Sequence, residues 1–187
     1  PQASSGDIFN RYNESVARVP DGCKGLIFLP YLNGERTPYW DPAARGVFYG
    51  VNLETEKAHF IKAIMEGVSF ALRNNIETVE SLGISIHEIR AVGGGSKSQV
   101  WLNTLGKILK KPIATVSVGD TANLGNALLC GKALGIYSSY EEAAAEIVTT
   151  GQRVSFPDGK AIYEKQYGIF LELYEQLQHT FRRSAGS

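Results

Sequence analysis

The residues best placed to do chemistry are Gly93-Gly94-Gly95-Ser96-Lys97-Ser98-Gln99. Ile89, Ala91 and Val92 before them read as a short buried strand. From Gln99 onward Val100, Trp101, Leu105, Ile108 and Leu109 recur at helical spacing. Glycines at a strand-to-helix junction let the backbone turn with φ > 0, and no Cβ keeps a ligand off the peptide planes. The helix start adds free N–H groups and the positive end of a dipole. That chemistry suits a nucleotide. The stretch is neither a P-loop, since Gly-Lys-Ser/Thr is missing, nor Gly-x-Gly-x-x-Gly. On the glycines alone, the plainer reading, a tight turn in an α/β domain, is favoured.

Around this stretch other side chains have a functional and a plain reading. Lys97 is close enough to touch a phosphate, although an exposed lysine needs no function. Asn103, one turn after Gln99, adds a contact or is surface. Glu35, Arg36 and Asp41 share one loop, where an arginine between two carboxylates reads as an ion-paired brace. Trp40 and Trp101 read as packing residues, and His59 as a solvated or capping residue at a helix start.

The chain has 187 residues, 43% hydrophobic and 20% charged, which fits a globular domain. Lys plus Arg and Asp plus Glu are 19 each, so no global field recruits nucleic acid or an anionic membrane. No apolar run approaches the roughly 18 residues of a transmembrane helix. Cys23 and Cys130 form no motif, which points to a reducing cytoplasm. With His59, His87 and His179 scattered, no metal site is expected. The one methionine is Met65, and an excised piece of a longer protein is the preferred explanation.

The elements that must position the glycine stretch are legible in outline. Residues 1–22 form an irregular lead-in with a short helix near Asp7–Val19. Leu26–Leu29 is a buried strand ended by Pro30, and Val47–Val51 a second strand after a loop rich in Pro, Gly and aromatics. A helix runs from about Glu56 to Ser81 with Phe60, Ile64, Val68, Leu72, Ile76 and Val79 on one face. Gly83 is its C′ residue. The helix from Gln99 closes at Lys110-Lys111-Pro112, and Ile113–Val118 alternates as a strand. Asp120 or Thr121 caps a helix of small residues, read as tightly packed. Ser139-Tyr140-Glu141-Glu142 is a capping box. Residues 151–159 read as a loop with Pro157-Asp158-Gly159 as a turn. A last helix, about Ala161 to Arg183, carries Tyr163, Tyr167, Phe170, Tyr174, Leu177 and Phe181 as a core stripe, and 184–187 form a flexible tail. Strand and helix alternate as in an α/β domain.

Two stretches together carry a resemblance. Gly46-Val47-Phe48-Tyr49-Gly50-Val51, a seven-residue gap and His59-Phe60-Ile61-Lys62-Ala63-Ile64-Met65-Glu66 resemble the second signature of the FGGY carbohydrate kinases. The preceding loop Gly34–Gly46 is similar to theirs, Gly93–Ser98 resembles their adenosine motif, and Gly125-Asn126-Ala127 stands where they carry a Gly-Ala-Ala helix. The Glu-Arg-Thr-Pro form of the loop is most like family members that phosphorylate xylulose. Members acting on glycerol share Pro-Tyr-Trp-Asp-Pro but lack Glu-Arg-Thr-Pro.

The resemblance implies an actin-like ATPase (ribonuclease H-like) domain, a mixed sheet flanked by helices and truncated at its N-terminal edge. It implies that residues 1–187 form one domain, the C-terminal nucleotide-binding part of a two-domain kinase. ATP and Mg²⁺ would be its cofactors, with Mg²⁺, the sugar and the catalytic base held mainly by the part outside this chain. Carried over by position, Gly94, Gly95 and Ser96 line the adenine and ribose, and Gln99 reaches an adenine edge or a ribose hydroxyl. Gln99 can donate and accept; its plain reading is a solvated residue of the first helical turn. Exposed aromatic surface is expected where the first domain docks, and it could pair fragments into homodimers.

Overall fold

The computed structural model describes residues 5–116, 120–148, 150–154 and 161–185. Helix α1 (Ser5–Ala17) is the short helix expected near Asp7–Val19 in the lead-in; Val16 on it and Val19 just after it are buried. A 3₁₀ turn, Cys23–Gly25, leads into β1 (Ile27–Leu29), whose three residues are all buried. β1 pairs antiparallel with β2 (Val47–Tyr49), Ile27 opposite Tyr49 and Leu29 opposite Val47. Phe28 and Phe48 stack across that pair at 4.4 Å.

The loop between β1 and β2 is braced by its carboxylates, not by its arginine. Glu35 and Asp41 exchange backbone hydrogen bonds, each 2.9 Å. The Glu35 carboxylate accepts the N–H groups of Arg36 and Thr37, and Asp41 accepts the Ala43 N–H and the Tyr174 hydroxyl. Arg36 is exposed and forms no ion pair among the described residues, so the expected Arg–carboxylate brace is absent. Trp40, expected to pack, is 81% exposed; Tyr39 takes the packing role, stacked on Tyr174 at 4.1 Å.

Helix α2 (Lys57–Ser81) starts at a capping box between Glu56 and His59, which gives His59 its capping role. Leu82 and then Gly83, at φ 84°, end the helix. The buried face is not the one the apolar spacing indicates. Ile64 and Leu72 are 40% and 42% exposed, while Lys62, Ala63, Glu66, Gly67, Ser69, Phe70 and Asn74 are buried. The cause is a close approach to β1: a Cβ on Gly67 would stand 2.2 Å from the Phe28 carbonyl oxygen. Only a small-residue face fits there, and the charges beside it are paired.

β3 (Ile89–Ala91), a glycine turn, α3 (Gln99–Leu109) and β4 (Ile113–Val116) form a strand–helix–strand unit with parallel strands, Ile89 opposite Ile113. Lys110, left-handed at φ 53°, closes α3. α4 (Thr121–Ala133), capped by Asp120, and α5 (Tyr140–Ile147), capped by Ser139, pack on each other. In α4 close packing is confined to Gly131, which faces the Tyr137 ring; its other small residues are not buried. β5 (Thr150–Val154) replaces the start of the expected loop and joins β4 antiparallel, giving a mixed sheet β3-β4-β5. The expected Pro157-Asp158-Gly159 turn and residues 117–118 of the expected strand lie outside the described residues.

α6 (Ala161–Ala185) runs through the beginning of the expected tail, Ser184 included. Its stripe Tyr163, Tyr167, Phe170, Tyr174 and Phe181 is buried with Leu29, Tyr31, Phe70, Leu102, Ile108 and Ile113. Each such ring is worth roughly 1.5–3 kcal/mol of burial. The architecture is α/β, as expected.

Candidate functional site

Each glycine of the turn has its own physical reason. Gly93 has φ 80° and ψ −166°, a conformation essentially restricted to glycine. It turns the chain out of β3 into a 3₁₀ turn, Gly94–Lys97. A Cβ added to Gly94 would meet nothing within 4 Å among the described residues, so its face is open there. A Cβ on Gly95 would meet the Trp101 ring at 3.0 and 3.1 Å.

Ser96 donates its hydroxyl to the Gly93 carbonyl oxygen at 2.8 Å, which ties the turn together. Ser98 is the N-cap of α3: its Oγ accepts the Trp101 N–H at 3.2 Å and donates to Asn13 Oδ1 of α1 at 2.7 Å. Gln99 donates from Nε2 to Asn103 Oδ1 at 2.9 Å, both on the exposed side of α3. Gly94, Gly95, Ser96 and Gln99 thus stand together on one turn and the helix start that follows it. Lys97 is exposed beside them without an ion pair among the described residues.

A buried polar cluster fixes α3 from its other side. The Lys62 ammonium donates to Thr104 Oγ1 at 3.0 Å and lies 3.6 Å from Asp21 and 3.7 Å from Glu66. Lys107 pairs with Asp21 at 3.0 Å. Glu66 Oε1 accepts the Gly22 N–H, while Oε2 is buried without a hydrogen-bond partner among the described residues. Burial is the main reason its carboxyl is pushed up to about 7, against the attraction of Lys62. Burial also pushes the Cys23 thiol up to about 12 and raises the Tyr163 hydroxyl.

Asn13 is not a site candidate on the sequence, Ser98 stands there only as the end of the glycine motif and Trp101 only as a packing residue, and Asp21, Lys62, Glu66 and Tyr163 do not read as a cluster. The capping role of Ser98 has a sequence signal, a serine immediately before the first residue of a helix. Lys62 and Glu66, spaced i,i+4 inside a mostly apolar helix, signal a pair but not that the pair is buried.

An open glycine face beside a helix N-terminus fits the flat base and ribose of a nucleotide. Among the described residues no three His, Cys, Asp or Glu side chains converge where a metal could be held. Nor is any described helix long and apolar enough to cross a membrane.

Comparison with known proteins bears on this geometry. The model of the FGGY family of carbohydrate kinases, C-terminal domain, matches residues 3–134. The chain is 31% identical over 171 residues to the xylulose kinase of Bacillus subtilis, covering 91% of this chain and 34% of that protein. It superposes on the xylulose kinase of Rhodospirillum rubrum with TM-score 0.80 at 26% identity, covering 96% of this chain and 36% of the other. The gluconate kinase of Lactobacillus acidophilus gives TM-score 0.81 at 28% identity, covering 96% and 36%. The chain therefore spans about a third of the length of the relatives it matches.

Proposed function

The chain belongs to the FGGY family of carbohydrate kinases, whose fold is that of the actin-like ATPases, and from that premise we propose that it is the nucleotide-binding part of an ATP-dependent sugar kinase. The observation that carries this reading is the open face of Gly94, on a turn between a strand and a helix N-terminus. In this proposal residues 1–187 act as one domain and the nucleotide base and ribose lie over Gly94 and the Gly94-Gly95 peptide. Ser96 and Gln99 supply polar contacts, Gln99 by exchanging its bond to Asn103 for one to the ligand.

Phosphoryl transfer asks a protein mainly for positioning and charge stabilisation. This chain contributes the first of these, by holding the adenosine end of ATP. The sugar, the proton acceptor for its hydroxyl and the phosphate contacts belong, in this reading, to the remainder of the kinase. With no converging set of three His, Cys, Asp or Glu side chains among the described residues, Mg²⁺ in this reading is held mainly by the remainder of the kinase. The free thiols Cys23 and Cys130 fit a cytoplasmic setting.

The proposed substrate is D-xylulose, converted to D-xylulose 5-phosphate, on the likeness to xylulose kinases. A second reading is a sibling kinase acting on gluconate, ribulose or glycerol, of which the likeness to gluconate kinase supports gluconate. The test is ADP release by the full-length protein with D-xylulose, L-ribulose, gluconate and glycerol in turn. Turnover with D-xylulose supports the first reading, and turnover with another sugar the second. ATP binding without turnover on any of them overturns both and makes the chain part of a nucleotide-sensing module.

A further inference from the structure

We propose that Trp101 is a positioning residue for the nucleotide site: its indole ring, seated behind Gly95, holds the glycine turn in the shape that leaves Gly94 open. This rests on the nucleotide reading above and goes beyond it, because it assigns different work to adjacent glycines. Among the described residues Gly94 has empty space where its side chain would be, which leaves room for a ligand against its backbone. Gly95 has the Trp101 ring there, with Cζ3 at 3.0 Å, Cε3 at 3.1 Å and Cη2 at 3.6 Å from an added Cβ. Its bareness is required from inside the protein.

Two further observations place the ring in a supporting role. Trp101 Nε1 is buried and has no hydrogen-bond partner among the described residues. A ligand cannot reach it, and buried indoles usually find an acceptor, so this ring is seated by its shape. The Trp101 backbone is anchored as well: its N–H donates to Ser98 Oγ, whose own proton goes to Asn13 Oδ1. The ring behind the turn, the cap before α3 and helix α1 thus form one rigid support for the Gly94 face.

The test is a mutant cycle in the full-length protein, read by calorimetric titration with ADP. Gly94→Ala and Gly95→Ala are each expected to weaken ADP binding by about tenfold or more, the size of a 1.4 kcal/mol loss. Trp101→Leu removes the ring atoms that a Gly95 side chain would meet. In that background the Gly95→Ala loss should fall to about twofold, whereas the Gly94→Ala loss should persist in full. Trp101→Phe, which keeps an aromatic plate behind the turn, should bind within about threefold of wild type. In turnover, Trp101→Leu should raise the KM for ATP and leave kcat and the KM for the sugar in place. An undiminished Gly95→Ala loss in the Trp101→Leu background, or wild-type ADP affinity in Trp101→Leu, overturns the proposal. Wild-type protein that binds no ADP overturns the nucleotide reading and this inference with it, an outcome distinct from the other two. Melting curves on every variant identify any that fail to fold, and Trp101→Phe keeps the question answerable if Trp101→Leu is among them.

Discussion

The Tyr163 hydroxyl lies 3.1 Å from Glu66 Oε1 and 2.8 Å from Asp21 Oδ1, so one proton on α6 is shared between a buried and a partly buried carboxylate. Tyr163, Lys62 and the Gly22 N–H are the cluster's means of holding negative charge away from water.

The first prediction concerns that charge. Burial raises Glu66 from its ordinary value of 4.5 to about 7. Between those values the folded chain binds more protons than the unfolded one. The stabilisation is therefore complete below 4.5, falls as pH rises through 7 and is gone above it. The span corresponds to about 3 kcal/mol, to order of magnitude. Glu66→Gln cannot ionise and should lack this slope. Urea midpoints of wild type and variant across that range check it: wild type should lose ground to Glu66→Gln as pH rises, and a constant difference would refute the assignment.

Gly67→Ala should be among the most damaging small changes in the chain. Its Cβ would fall 2.2 Å from the Phe28 carbonyl oxygen, a backbone atom that cannot step aside. Moving α2 off β1 should cost about 3 kcal/mol. Thermal melting reads this directly, and an unshifted melting temperature would mean that the two elements are not in this contact.

Arg73 ties α2 to α6. Its guanidinium pairs bidentately with Glu164 at 2.8 and 2.9 Å, bonds Glu77 at 2.7 Å and lies 4.1 Å over the Tyr167 ring. The hydrogen bond from Arg73 is the main reason the Glu164 carboxyl is lowered to about 2. The stability from this shift is present above 4.5 and lost as pH falls through about 2. In Arg73→Ala the Glu164 value should rise toward the ordinary carboxylate range, held down in part by Lys110 at 2.9 Å. A carbon-13 NMR titration of the Glu164 carboxyl that does not move would contradict the pairing.

Ser98→Ala removes the cap of α3 and the tie to Asn13 at once, with an expected loss of about 1 kcal/mol or more. Ser98→Thr keeps a hydroxyl in place and should melt close to wild type. Equal losses from both would point to the space around Ser98 and not to its hydrogen bonds.

Much of the architecture was legible because it follows simple periods. The extents of α2, α3 and α6 rest on helical spacing and end residues, and the aromatic stripe of α6 is core as read. The buried face of α2 was not legible, because Lys62 and Glu66 go inside only where Asp21 and Tyr163, far away in sequence, come to meet them. β5 was missed because Thr150-Gly151-Gln152-Arg153-Val154 has no apolar alternation; it is a strand by virtue of the β4 edge beside it. At the site, the grouping of Gly94, Gly95, Ser96 and Gln99 was readable from their adjacency. The separate constraints on Gly93, Gly94 and Gly95 were not, since they depend on one backbone angle and on where the Trp101 ring lies.

The contacts of Tyr163 with Asp21 and of Gln166 with Gly22 close loops of 142 and 144 residues. Long-range closure of this kind slows folding, because chain entropy is lost before the contact rewards it. A ribosome delivers β1 and α2 long before α6, so the nascent chain must wait with Leu29, Tyr31 and Phe70 uncovered and with Asp21 and Glu66 lacking the Tyr163 hydroxyl. The interval in which these apolar side chains stay open to aggregation is therefore set by how soon the 25 residues of α6 follow them.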